Sequence, residues 1–255
     1  MAKYTLHKGD CIPYMAKMPS ESVSVVISDP PYGTELITGG YSRTHKTIEN
    51  DKDLSIVALA FKEFPRLIGN GYAAMFFSPR NMPEFFQSIQ GVWYGHIVWN
   101  KKAPGMGQGI RYMHENIAVF QFGEPEQPTE NIFSVINALK VNAEHPHQKP
   151  VSAMKSLIEW LTNPGDIVFD PFMGSGTTGV ACMELDRDFI GCELDDNHFA
   201  VAEQRIKASA NQGILFTRAQ PNTASSGRLD SSAQQALFSA GEVLPAKSRG
   251  ATRRR

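Results

Sequence analysis

Two hydrophobic rhythms alternate along the chain. Short runs rich in Val, Ile, Phe and Tyr read as strands, and longer stretches with apolar residues three and four apart read as amphipathic helices. Lys3–Lys8 predicts a first strand, ended by Gly9-Asp10. Ser22–Ser28 (SVSVVIS) is a β-branched run that predicts a buried strand, and Pro30-Pro31 forbids its further pairing. Thr34–Asp53 is polar and aperiodic, so it predicts a loop. A helix is expected over Leu54–Ile68, a strand over Tyr72–Phe77, a short helix over Pro83–Ile89, and strands over Gly95–Trp99 and Glu115–Phe122. Gly123–His147 has no clear period. Val151–Leu161 predicts an amphipathic helix stopped by Asn163-Pro164-Gly165. Asp166–Phe169 (strand), Thr177–Glu184 (helix), Phe189–Cys192 (strand) and Asn197–Ala208 (helix) complete the series. Strands alternating with helices imply an α/β fold, with a doubly wound and mostly parallel sheet.

From residue 208 the pattern fades into Ser, Ala, Gln, Gly and Thr. Such a composition buries little surface, so residues 1–207 are expected to form one folded domain and 208–255 a flexible tail. The tail carries seven Lys or Arg against two acids. With a net charge of −1 for the whole chain, the body is therefore left at −6. A body of that sign needs a local basic face to hold phosphates. Candidates are Arg43, His45 and Lys46, then Lys101 and Lys102, then Arg111, weighed against ordinary solvated loop charges.

At 255 residues and 42% hydrophobic content, the chain suits one sizeable core. No apolar run is long enough to span a membrane. The N-terminus lacks the apolar stretch of a signal peptide. Cys11, Cys182 and Cys192 are widely spaced and form no metal pattern, so they are expected as free thiols in a reducing cytoplasm, with no metal.

Two segments carry chemistry. Asp170-Pro171-Phe172-Met173-Gly174-Ser175-Gly176-Thr177-Thr178 reads as strand, glycine turn, helix. Gly174 and Gly176 let the backbone approach a ligand lying across the strand ends. Glu193 ends the next strand 23 positions after Asp170, where a ribose needs a carboxylate acceptor for its hydroxyls. The turn is neither GxGxxG nor a P-loop, so a nucleoside ligand without phosphates fits best; a tight turn with no ligand is the bland alternative. Asp29-Pro30-Pro31-Tyr32 stands about 140 residues earlier. An exocyclic base amine is a poor nucleophile, because its lone pair is delocalised into the ring. Asp29 and the Pro30 carbonyl can both accept hydrogen bonds from it and draw it toward tetrahedral geometry. Tyr32 offers a ring on which a flipped base can stack. The bland alternative is a Pro-Pro loop capping a strand.

Taken together, the two segments resemble those of the S-adenosylmethionine-dependent amino-group DNA methyltransferases, which carry (D/N/S)PP(Y/F/W) at the acceptor and GxG at the donor. Acceptor before donor resembles the circularly permuted β group of that family. Gly9-Asp10-Cys11 is similar to the segment whose Asp contacts the cofactor adenine. His147-Gln148-Lys149-Pro150 is similar to the HxQKP string beside the cofactor's methionine moiety, and Arg187–Glu193 to an RxFIGxE strand. The likeness spans residues 5 to about 207. It implies a Rossmann-like fold and cofactor contacts from Asp10, Cys11, Asp29, Lys149, Asp170, Phe172, Gly174, Ser175, Gly176, Thr177, Glu193 and Leu194. It also implies a catalytic set of Asp29, Pro30, Pro31 and Tyr32. In that family DPPY goes mostly with adenine N6 and SPPY mostly with cytosine N4, so Asp29 favours adenine. No cysteine has the Pro-Cys context that C5-cytosine transfer needs.

Duplex DNA is the expected partner, read by short loops at Glu35–Lys52, Lys101–His114 and Gly123–Glu144, with a homodimer left open. A bacterial or phage-encoded cytoplasmic enzyme would suit this reading. Gln234-Gln235-Ala236-Leu237-Phe238 matches the QxxLF peptide that docks in the bacterial sliding clamp, as does Gln212–Phe216; chance or packing on the body is the competing explanation. Arg253-Arg254-Arg255 adds salt-sensitive phosphate attraction.

Overall fold

The computed structural model of the chain describes residues 2–32, 54–89, 91–104, 110–139 and 148–219. Within them, eight strands form one sheet. They are β1 (Tyr4–Lys8), β2 (Val25–Ser28), β3 (Gly71–Phe77), β4 (Val92–Asn100), β5 (His114–Phe122), β6 (Val135–Asn137), β7 (Ile167–Asp170) and β8 (Asp188–Glu193). The spatial order is β1-β8-β7-β2-β3-β5-β4-β6. Every neighbouring pair is parallel except β3–β5 and β4–β5, so β5 alone runs against the sheet. Strand β7 follows β2 late in the chain yet lies beside it, which is the permuted Rossmann-like arrangement.

Six helices cover the two faces: α1 (Cys11–Met15), α2 (Ser55–Ile68), α3 (Met82–Ser88), α4 (Val151–Leu161), α5 (Thr177–Glu184) and α6 (Asp196–Ala219). Alternate residues of each strand feed opposite cores, as a pleated strand requires. Val26, Met75, Phe120 and Phe169 pack with α1, α2 and α3; Val25, Ala74, Val119 and Val168 pack with α4, α5 and α6. On α2 the apolar stripe is Val57, Ala60, Phe61, Phe64, Leu67 and Ile68. Phe64 is fully buried, and truncating it to Ala would cost about 3–5 kcal/mol.

Four features depart from the sequence pattern. Helix α1 was not expected, because Pro13 interrupts its apolar residues. Asp10 caps it, its side chain accepting from the Ile12 N–H, and a proline in a first turn gives up no needed donor. Strand β4 begins three residues before Gly95, with a register shift between Trp93 and Gly95, so this glycine marks a bulge and not a strand end. Strand β6 lies inside the segment read as irregular; it forms by parallel pairing to β4 and by burying Ile136, between exposed Val135 and Asn137, in the core that includes α4. Helix α6 runs past Ala208 to Ala219, because Ser209 is still buried there, its hydroxyl on the Val180 carbonyl of α5. The compact unit accordingly spans Met1–Arg218. No helix among the described residues is long and apolar enough to cross a membrane.

Candidate functional site

The parallel pairing places the ends of β1, β8, β7, β2 and β3 along one edge of the sheet. The chain leaves β7 toward β8 and leaves β2 toward β3, in opposite directions. The crevice between β7 and β2 is therefore the topological switch point, where ligands of doubly wound sheets bind. Register Val25↔Val168 and Val26↔Phe169 brings the Asp29 exit beside the Asp170 turn. The Ser28 hydroxyl donates to Asp170 Oδ1 at 2.6 Å, joining the two halves across 142 positions of sequence.

On the β2 side, Asp29 stands in a cluster of charges. The Tyr32 hydroxyl donates to Asp29 Oδ1 at 2.6 Å, with Glu115 Oε2 3.2 Å away. Lys149, entering α4, donates from Nζ to Asp29 Oδ2 at 2.5 Å and lies 2.9 Å from Glu115 Oε2. Lys101 Nζ lies 3.3 Å from Glu115 Oε1. Lys149 is only 7% exposed, and its ammonium also sits 5.4 Å from the ring centres of Tyr32 and Phe76 and 5.9 Å from that of Trp99. Burial opposes its charge, but Asp29 and Glu115 together outweigh burial and raise its pKa. Burial likewise pushes Glu115 up, and Lys149 with Lys101 overcomes this and holds it at about 2. For Asp29, burial wins over Lys149, and the neighbouring Glu115 adds to the rise. A carboxylate offers about four lone-pair positions. Among the described residues Asp29 accepts two hydrogen bonds, which leaves acceptor capacity for an incoming amine. The Tyr32 carbonyl accepts from the Asn81 amide, which ties the end of the acceptor loop to the turn after β3. Next to this cluster opens a cavity of about 160 Å³, walled by Tyr32, Arg80, Lys101, Tyr112, His114 and Glu115. The Arg80 guanidinium lies 5.8 Å from the Tyr112 ring centre.

On the β7 side, the glycine turn is shaped by two left-handed residues, Gly174 (φ 52°) and Gly176 (φ 77°). A Cβ at Gly174 would meet nothing within 4 Å, so the turn leaves an open cradle at that point. Glu193 Oε2 accepts from the Gly174 N–H at 2.9 Å and Oε1 from the Asp195 N–H at 2.8 Å. Its carboxylate is thus fixed at the crevice with lone pairs to spare. Leu194 beside it is 42% exposed, an apolar surface at the mouth. Asp10 is exposed at the end of β1 and caps α1, while Cys11 is buried beneath it. Phe172 is packed against the α1–α3 core. The open cradle, the fixed carboxylate and the apolar rim fit an adenosine-bearing ligand.

Some residues sit otherwise than expected. Asp170 is 2% exposed, and both its oxygens are taken up internally, by Ser28, by the Phe172 N–H at 3.1 Å and by the Thr178 hydroxyl at 2.7 Å. Its partners tie it to the glycine turn and to the end of β2. Lys149, expected beside the donor, has its ammonium on Asp29. Lys101, expected on the DNA face, is turned inward to Glu115, whereas Lys102 and Arg111 are exposed. Ser175 and Thr177 face Arg205 of α6. Sequence reasoning missed Glu115 and Arg205, which looked like ordinary strand and helix residues. Arg43, His45, Lys46, His147 and Gln234–Phe238 lie outside the described residues. All three cysteines are free and buried; burial pushes the Cys11 thiol up to about 12 and raises those of Cys182 and Cys192. None offers a thiolate nucleophile.

Residues 23–204 match the family described as DNA methylase, of the N6 and N4 class. That match covers most of the chain, which therefore belongs to the S-adenosylmethionine-dependent amino-group DNA methyltransferases of the permuted Rossmann-like fold. Among individual proteins, it is 31% identical over 206 residues to YubD of Escherichia coli (strain K12), a methylase by name, spanning 79% of this chain and 89% of that one. It is 27% identical over 248 residues to the type II methyltransferase M.HinfI of Haemophilus influenzae, spanning 80% and 68%. The structure of M1.HpyAVI in complex with SAM superposes with a TM-score of 0.59 at 27% identity, covering 79% of this chain and 99% of that one. The cytosine-N4-specific PvuII DNA methyltransferase shares the fold at a TM-score of 0.63 and 17% identity.

Proposed function

We propose that the protein methylates the N6 amine of a flipped adenine in duplex DNA. The observation that carries this reading is the Asp29 carboxylate, set at the switch point beside the glycine cradle and still able to accept from an amine. Asp29 and the Pro30 carbonyl orient the amine, Pro31 stiffens the loop, and Tyr32 stacks the base. Asp10, Cys11, Phe172, Gly174, Ser175, Gly176, Thr177, Glu193 and Leu194 form the cofactor side, with Asp170 holding the turn. S-adenosylmethionine, when bound there, supplies an electrophilic methyl group. On that methyl group the amine lone pair would form the new N–C bond as the S–C bond breaks, and Asp29 would be the carboxylate at hand for the released proton. Exposed Arg80, Lys102 and Arg111 supply phosphate contacts, which makes binding salt-sensitive. Three buried free thiols are in keeping with a cytoplasmic enzyme. Adenine is preferred over cytosine because the acceptor string begins with Asp; the fold itself serves a cytosine-N4 enzyme equally well.

The test is transfer of tritiated methyl from S-adenosylmethionine to unmethylated duplex DNA, followed by digestion to nucleosides, with wild type beside Asp29→Ala. The expected result is label in N6-methyladenosine that disappears in the variant. Label in N4-methylcytidine overturns the base assignment and keeps the chemistry. Cofactor binding with no label on any DNA overturns the proposal.

A further inference from the structure

Helix α6 backs the donor turn with one face. Ala202, Arg205 and Ile206 stand three and four apart, so they project side by side. A Cβ at Gly176 would fall 2.9 Å from both Cα and Cβ of Ala202 and 3.1 Å from Ile206 Cδ1. At Gly179 it would fall 2.5 Å from Ile206 Cδ1. The turn therefore rests directly on α6, without room for a side chain between them.

Arg205 adds direction to this contact. One guanidinium nitrogen donates to the Ser175 carbonyl, to the Ser175 hydroxyl at 3.1 Å and to the Thr177 hydroxyl at 3.4 Å. The N–H of the same peptide unit, on Gly176, donates to the Met173 carbonyl at 2.8 Å. The Ser175–Gly176 peptide is thus held at both poles. A peptide plane held in that way cannot flip without breaking a bond at each end. Only the Gly174–Ser175 peptide separates this plane from Gly174, whose N–H bonds Glu193 and whose missing Cβ leaves the cradle open. A cation beside the first turn of α5 runs against the helix dipole. The hydrogen bonds have to outweigh it.

We propose that Arg205 is a positioning residue for the cofactor: from α6 it locks the Ser175–Gly176 peptide and so sets the cradle in its binding shape before the ligand arrives. It acts on cofactor affinity through the turn and takes no part in the transfer step. The proposal rests on the reading of Met173–Thr177 as the S-adenosylmethionine turn.

The experiment compares wild type, Arg205→Met, Arg205→Lys and, as a control on the same helix, Lys207→Ala at an exposed position. S-adenosylmethionine affinity is measured by equilibrium dialysis. Steady-state kinetics give separate KM values for cofactor and DNA, and the unfolding midpoint is recorded for each variant. The expected result for Arg205→Met is a loss of about tenfold in cofactor affinity, mirrored in its KM, with kcat at saturating cofactor and the KM for DNA within about twofold of wild type. Arg205→Lys, which keeps one donor toward the Ser175 carbonyl, recovers part of the affinity. If Arg205→Met does not fold, the cofactor affinity of Arg205→Lys relative to Lys207→Ala decides the matter, a deficit of about threefold supporting the lock and equality removing it. Undiminished cofactor binding in a folded Arg205→Met, or a fall in kcat with affinity intact, overturns this proposal alone. A wild-type protein that binds no S-adenosylmethionine overturns the functional reading and this proposal with it.

Discussion

Replacing Asp170 by Asn tests how the two halves of the site are tied together. Asp170 is fully enclosed and accepts from the Ser28 hydroxyl, the Thr178 hydroxyl and the Phe172 N–H. Burial, with a smaller contribution from the charge of Asp29, pushes its pKa up from 3.8 to about 6, even though those three hydrogen bonds pull the other way. A folded-state pKa above the unfolded value means that the protonated form favours folding. This contribution is fully present below the unfolded pKa and is lost as pH rises through the folded pKa. A rise of about two units is worth about 3 kcal/mol in all, of which about 2 kcal/mol falls between pH 4.5 and 7.5. Asn does not ionise, so the stability of Asp170→Asn minus that of wild type should grow by about 2 kcal/mol across that interval. The variant will start lower, because its amide NH₂ faces hydroxyl and N–H donors and leaves one of them without an acceptor, at about 1–3 kcal/mol. The assay is urea unfolding of both proteins at several pH values. For a slope of about 3 kcal/mol/M, the gap between the two midpoints should change by roughly 0.7 M. Parallel pH curves, or a gap that moves the other way, would refute the argument that Asp170 is held as a desolvated anion at neutral pH.

Three further outcomes follow from the same geometry. Lys149→Met leaves Asp29 and Glu115 facing each other without their shared ammonium; at pH 8 it should lower stability by about 3–5 kcal/mol. Losing the cation raises both carboxyl pKa values, so the deficit should shrink on acidification to pH 5, and thermal unfolding at the two pH values checks this. Tyr32→Ala removes the stacking surface, worth about 1–3 kcal/mol, and should lower kcat/KM for DNA by about 5- to 150-fold, whereas Tyr32→Phe, which loses only the hydroxyl on Asp29, should stay within about tenfold; equal losses in initial-rate assays would argue against stacking. Iodoacetamide at pH 8 should leave the native protein unmodified, since Cys11 is raised to about 12 and all three thiols are buried, while in urea all three alkylate; mass spectrometry of the native sample showing adducts would contradict the burial.

Local chemistry was legible without coordinates. Asp29-Pro30-Pro31-Tyr32 and Gly174-Ser175-Gly176 announce themselves because proline rigidity, glycine freedom and a carboxylate at a strand end are properties of consecutive residues. The strands β2, β3 and β5 and the helices α2, α4 and α5 were equally visible, since their periodic apolar faces are written in adjacent positions. Features that depend on a partner elsewhere were missed. Strand β6 has only Ile136 to bury and exists because β4 offers it an edge. Glu115 looks like one residue of a hydrophobic strand until Lys149 and Lys101 arrive from other segments. Arg205 looks like a solvated helix charge until α6 is laid under the glycine turn.

The chain by itself determined the class of fold, the permuted order of acceptor and donor, and the residue types that could hold an amine and a nucleoside. Only the tertiary structure decided that Ser28 and Asp170 touch across 142 positions, that the Lys149 ammonium lies on Asp29, and that Asp170 is enclosed by Ser28, Phe172 and Thr178. The reason is physical. Parallel strand pairing and buried ion pairs join residues distant in sequence, and their geometry is set by which strands become neighbours.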